Sequence, residues 1–121
     1  MSEYFKLHVN GKPDSARPVL EQALEGQGFR FTWENPQKGI AEKGSRTKAM
    51  LLGALSIHYK YWVQLDPQAD GTVVVGLGLG TSGVSAGAVG MVKVRKKVDE
   101  LQQYVSEAYR TSGVLLGAQA G

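Results

Sequence analysis

Residues 57–80 constrain the fold of this chain more than any other stretch. Ile57, Tyr59, Tyr61, Val63 and Leu65 alternate with His58, Lys60, Trp62, Gln64 and Asp66, which is the two-residue period of a strand with one apolar face. Residues 67–71 end in Asp70-Gly71, a strong hairpin signal. Val73, Val75, Leu77 and Leu79 then resume the alternation, and the opposite face carries Thr72, Val74, Gly76, Gly78 and Gly80. Those glycines leave that face almost bare and point to close approach of another backbone or a helix.

A second periodicity supplies the covering layer. Met91, Val94, Val98, Leu101, Val105 and Ala108 recur at three- and four-residue steps, the apolar stripe of a long amphipathic helix that Gly113 stops. One such stripe needs a surface to cover, and a sheet face is the natural one. Upstream, residues 4–9 alternate as a first strand, and Asn10-Gly11 and Pro13-Asp14 break it. Asp14 or Ser15 can cap a helix with Pro18 in its first turn, Val19, Leu20, Ala23 and Leu24 on one face, and Gly26 and Gly28 at its end. Phe29, Phe31 and Trp33 alternate with polar residues as a strand, and the Asn35-Pro36 turn returns residues 39–44 as another. Residues 46–56 read as a further strand, although their Ala, Met and Leu content favours helix. The expected fold is therefore α+β: an antiparallel sheet of about four to five strands in the order β-α-β-β-β-β-α, packed against a long C-terminal helix.

At 121 residues the chain is expected to form a single domain over 1–113, with 114–121 as a frayed tail. Its 42% hydrophobic and 21% charged residues are those of an ordinary globular protein. There is no cysteine, which excludes disulfides, thiolate metal sites and cysteine nucleophiles and fits a reducing, cytoplasmic setting. The first residues lack the apolar core of a secretory signal. A net charge of +3 is mild, and nucleic-acid binders usually show a concentrated basic face, so charge alone points to no partner and nucleic acid is not an expected one.

The element order resembles that of the TBP-like and helix-grip (START-like) domains, in which a curved antiparallel sheet wraps a C-terminal helix. The resemblance spans most of the chain and is one of element order, so it carries no functional residue onto this sequence. The chain is short for a full START-like cavity.

Gly78-Leu79-Gly80-Thr81-Ser82-Gly83 has the G-x-G-x-x-G spacing of a dinucleotide loop. That site needs a parallel strand about twenty residues on, where the long helix stands instead, so the run reads as a connector and no cofactor is expected. Residues 71–92 are uncharged and long enough to span a bilayer, but their Gly, Ser and Thr content and strand alternation favour a strand plus a glycine-rich loop over 76–90. Lys93, Arg95, Lys96 and Lys97 oppose the helix dipole; they read as a solvated helix face, or as a surface for anions or lipid headgroups that Arg46 and Lys48 would extend. His58 reads as an exposed strand histidine. With His8 it makes no metal pair, and a triad from His58, Asp66 and a serine has no motif behind it.

Aromatic residues supply the candidate contacts. If Tyr59 and Tyr61 face the helix, Trp62 with His58 and Lys60 faces the other side, where Trp62 marks a contact with a partner or is covered by a loop. The expected function is a non-enzymatic binding domain with a small apolar or lipid-like ligand between sheet and helix, in contact with Trp62, His58, Tyr59, Tyr61 and Trp33. The rival is a protein-interaction or self-association module working through the exposed sheet face or the glycine-rich loop, at a membrane surface in one version.

Overall fold

A computed structural model of the chain describes residues 2–44, 58–79 and 87–121, with side chains from 92 onward in the last stretch. The strand expected over 46–56, most of the G-x-G-x-x-G run and the Met91 side chain lie outside the described residues. The described elements are β1 (Tyr4–Asn10), α1 (Pro13–Glu25), β2 (Arg30–Asn35), β3 (Lys38–Lys43), β4 (Tyr59–Pro67), β5 (Thr72–Leu79), α2 (Gly87–Thr111) and β6 (Leu115–Ala120). All strands join one antiparallel sheet in the order β2-β3-β4-β5-β1-β6. The chain is α+β, with the long helix packed on the sheet as the two periodicities require.

The path explains the strand order. After β1, α1 carries the chain to the far edge of the sheet, where β2 begins a meander that returns through β3 and β4 to place β5 beside β1. The two described helices lie on one face and pack against each other. The core takes Phe5, Leu7 and Val9 from β1, Tyr61, Val63 and Leu65 from β4, and Val73, Val75 and Leu77 from β5. Against them stand Ala16, Leu20 and Leu24 of α1 and Val94, Val98, Leu101, Val105 and Tyr109 of α2. Burial of each large apolar side chain contributes about 1.5–3 kcal/mol.

Three expectations are corrected. Helix α1 starts at Pro13 with Lys12 at its N-cap and no side-chain cap, so Asp14 and Ser15 lie inside the first turn. Pro18 therefore sits a full turn into the helix; it faces solvent, where water can satisfy the carbonyl it leaves unpaired. In α2 the buried stripe ends on Tyr109, while Ala108 is only half-buried. The third correction concerns residues 114–121, which do not form a frayed tail: 115–120 are strand β6. Gly113 adopts φ +76°, and Val114 N–H bonds back to the Tyr109 carbonyl at 3.1 Å, closing α2 and reversing the chain. The Val114 carbonyl then accepts from Asn10 N–H at 2.8 Å, and the residues that follow run along the free side of β1.

Two tyrosine hydroxyls tie the layers. The Tyr61 O–H donates to the Val94 carbonyl at 2.8 Å, joining sheet to α2, and the Tyr109 O–H donates to the Ala16 carbonyl at 2.7 Å, joining α2 to α1. Desolvation by burial pushes both phenols above the ordinary tyrosine range, and at Tyr61 the nearby Tyr59 and Glu100 act in the same direction. Both stay neutral donors. At the β4–β5 turn, Asp70 Oδ1 accepts from the Thr72 hydroxyl at 2.5 Å and from its N–H at 3.1 Å, and His8 Nε2 lies 2.7 Å from the same hydroxyl. The bond from the Thr72 hydroxyl is the largest cause holding the Asp70 carboxyl below the usual range, followed by the Thr72 backbone bond.

Tyr61→Phe and Tyr109→Phe are each expected to lower stability by about 0.5–1.5 kcal/mol in urea melts; unchanged midpoints in both would mean that the hydroxyl bridges contribute nothing. Because the folded pKa of Asp70 lies below its unfolded value, its contribution is complete above the unfolded pKa and disappears as pH falls through the folded one. Thr72→Val is expected to move the Asp70 titration upward when followed by carboxyl NMR, and an unmoved titration would discount the hydroxyl.

Candidate functional site on the open sheet face

Strand alternation that points one set of side chains at the helices points the other set outward, and no described helix covers that face. The register gives its composition row by row. One row runs Thr32, Ile40, Trp62, Gly78, Tyr4 across β2, β3, β4, β5 and β1. A neighbouring row runs Lys38, Gln64, Gly76, Lys6, Gln119 and reaches β6. An apolar, aromatic track thus crosses the sheet beside a polar one.

Trp62 lies half-buried at the centre of the track. A Cβ built on Gly78 would stand 2.5 Å from Cζ2 and 2.8 Å from Nε1 of the Trp62 indole, and one built on Gly76 would stand 3.0 Å from Cζ3. Among the described residues, the close approach inferred from these alternate glycines is that of an indole ring. A side chain at Gly78 would displace the ring, and one at Gly76 would crowd it. Beside it is an open cleft of about 540 Å³ lined by Thr32, Glu34, Lys38, Ile40, Trp62 and Gln64. Its floor is apolar, and charges of both signs stand on its rim.

The other residues singled out in the sequence do not converge on this cleft. Tyr61 is wholly buried in the core, and Tyr59 lies on the helix side with the Lys97 ammonium 5.6 Å from its ring centre. Trp33 also faces the helices: it stacks on Phe31 at 5.4 Å, lies under the Arg17 guanidinium at 4.3 Å, and donates its Nε1–H to Glu21 at 3.1 Å. His58 is corrected from exposed to buried, with 4% of its surface accessible. Its Nε2 sits 2.7 Å from Glu42 Oε2, and its buried Nδ1 finds no hydrogen-bond partner among the described residues. Its partner is a carboxylate on the adjacent strand, a pairing that residue spacing does not reveal. Only Trp62 of the proposed contact set lines the outer cleft.

The basic cluster is divided. Arg95 reaches Glu3 at 3.3 Å, Lys97 reaches Glu100 at 3.2 Å, and Lys93 and Lys96 face solvent. The sequence reading missed Ile40, Glu34, Lys38 and Gln64 as neighbours of Trp62. Their common outward phase was legible once each strand was recognised, but their pairing across strands was not.

Among the described residues no group of His, Asp or Glu is placed to hold a metal ion, and no helix is long and apolar enough to cross a membrane. No protein-family model and no curated protein matches this sequence.

Gly78→Ala is expected to displace the Trp62 indole, lowering stability by about 1–3 kcal/mol and increasing acrylamide quenching of Trp62 measured in a Trp33→Phe background. Unchanged quenching would mean that the glycine is not what seats the ring.

Proposed function

We propose that this chain is a non-catalytic protein-interaction domain whose working surface is the open sheet face, with an apolar side chain of a partner settling beside Trp62. The carrying observation is the indole held against Gly76 and Gly78 at the edge of an apolar cleft. A large side chain pre-seated by its own backbone costs little ordering entropy on binding. An apolar centre with a polar rim, here Glu34, Lys38 and Gln64, is the usual anatomy of a protein contact, and tryptophan is among the residues that dominate such contacts. The cleft opens to solvent along one side, where a protruding side chain of a partner can enter.

The packing makes a ligand held between sheet and helix the weaker reading. The inward positions of β1, β4 and β5 and the facing stripe of α2 are filled by the chain's own side chains, and both buried tyrosine hydroxyls are engaged. The helix-grip likeness belongs to the same proposal, supported by β1 lying beside β5 with α2 across the sheet. A cytoplasmic setting is supported by the cysteine-free composition.

Selection from a displayed peptide library on the wild-type chain is expected to return peptides that share one large apolar residue. Trp62→Ala is expected to weaken them by about 30-fold or more, and Lys38→Glu to change their charge preference without altering the thermal midpoint. Recovered peptides that bind Trp62→Ala as tightly as wild type would overturn the reading, as would a lipid retained in native mass spectra and lost with no effect of Trp62→Ala.

A further inference from the structure

The two edges of the sheet are unlike. At one edge, β2 carries Arg30 and Glu34, charges that discourage pairing with another strand. At the other, β6 reads Leu-Leu-Gly-Ala-Gln-Ala with neither charge nor proline, and Leu116 is 56% exposed. Charges and prolines on an edge strand are the usual guards against edge-to-edge association, and β6 has neither.

Which of its backbone groups are free follows from the register. Gly121 and Tyr4 exchange both backbone hydrogen bonds, Gly121 N–H to the Tyr4 carbonyl at 3.1 Å and Tyr4 N–H to the Gly121 carbonyl at 3.2 Å. Antiparallel pairs alternate between bonded and non-bonded, so Gln119, opposite Lys6, is turned toward β1. Ala118 and Ala120, opposite Leu7 and Phe5, direct their N–H and C=O groups away from the sheet. The extra residue at the irregularity, Leu116 between Leu115 and Gly117, limits a further strand to the stretch beyond it.

We propose that β6 pairs antiparallel with β6 of a second copy of this chain about a two-fold axis at Gln119, making one continuous sheet through both copies. In that register Ala118 of each copy exchanges both backbone bonds with Ala120 of the other. Gln119 meets Gln119 on the open face, where two amides satisfy each other as donor and acceptor. No charged side chain of one β6 meets a like charge on the other, and the same short segment supplies both halves of the contact, as a two-fold interface demands. The arrangement leaves the Trp62 cleft, between β2 and β4, clear of the interface.

Sedimentation equilibrium of the chain over a wide concentration range tests this. A monomer–dimer equilibrium is expected. Ala118→Pro removes an outward N–H and no bond to β1, so it is expected to give a monomer that keeps the wild-type circular dichroism. Gln119→Lys places like charges across the axis and is expected to raise the dimer dissociation constant by about tenfold or more at low salt, with recovery as salt screens the pair. If Ala118→Pro fails to fold, Gln119→Lys decides alone. A wild-type chain that stays monomeric at every concentration overturns the proposal, as does a dimer that Gln119→Lys leaves unchanged at low salt.

Discussion

The whole arrangement depends on the contact between the apolar stripe of α2 and the inward face of the central strands. Val94, Val98, Leu101, Val105 and Tyr109 leave water in one core shared with α1 and the sheet, and the inward residues of β1, β4 and β5 need that cover. A phenol bonded to a backbone carbonyl marks each end of the stripe: Tyr61 to Val94 ties α2 to the sheet, and Tyr109 to Ala16 ties it to α1. A buried hydroxyl without a partner is costly, so these bonds give position to a surface whose apolar packing has little direction of its own.

Committing one face of the sheet to the helices leaves the other to be resolved by local means. Its middle carries one large ring on two absent side chains: Trp62 lies over Gly76 and Gly78 of β5. The tryptophan and the alternate glycines are one feature read from two strands. The same division separates the aromatics: Tyr59, Tyr61 and Trp33 serve the helix layer, and Trp62 and Tyr4 lie on the open side.

Much of the core was legible because strand and helix periods are local properties. The alternations in β4 and β5, the Asp70-Gly71 turn and the stripe of α2 follow from residues within a few positions of one another. Failures occurred where a distant partner decides. The pairing of His58 gave no sign because its partner, Glu42, lies on the neighbouring strand. Residues 115–120 gave no sign of a strand because Leu115 alone among them packs against the core; they are held by the backbone of β1, to which sequence period is blind. The basic run 93–97 looked like one patch because adjacency in sequence hides the turn of a helix, which sends Arg95 to Glu3 and Lys97 to the Tyr59 side.

By itself the sequence determined the layers: which segments alternate, which one carries a stripe, and therefore that a sheet must lie under a long helix. Those conclusions rest on side-chain periods that hydrophobic burial imposes wherever the chain goes. Tertiary structure alone decided the neighbours: β1 set between β5 and β6, the indole laid on glycines of the next strand, and an uncharged strand left at the edge. Such pairings form between residues far apart in the chain, through backbone hydrogen bonds common to every residue type, so no local pattern can announce them.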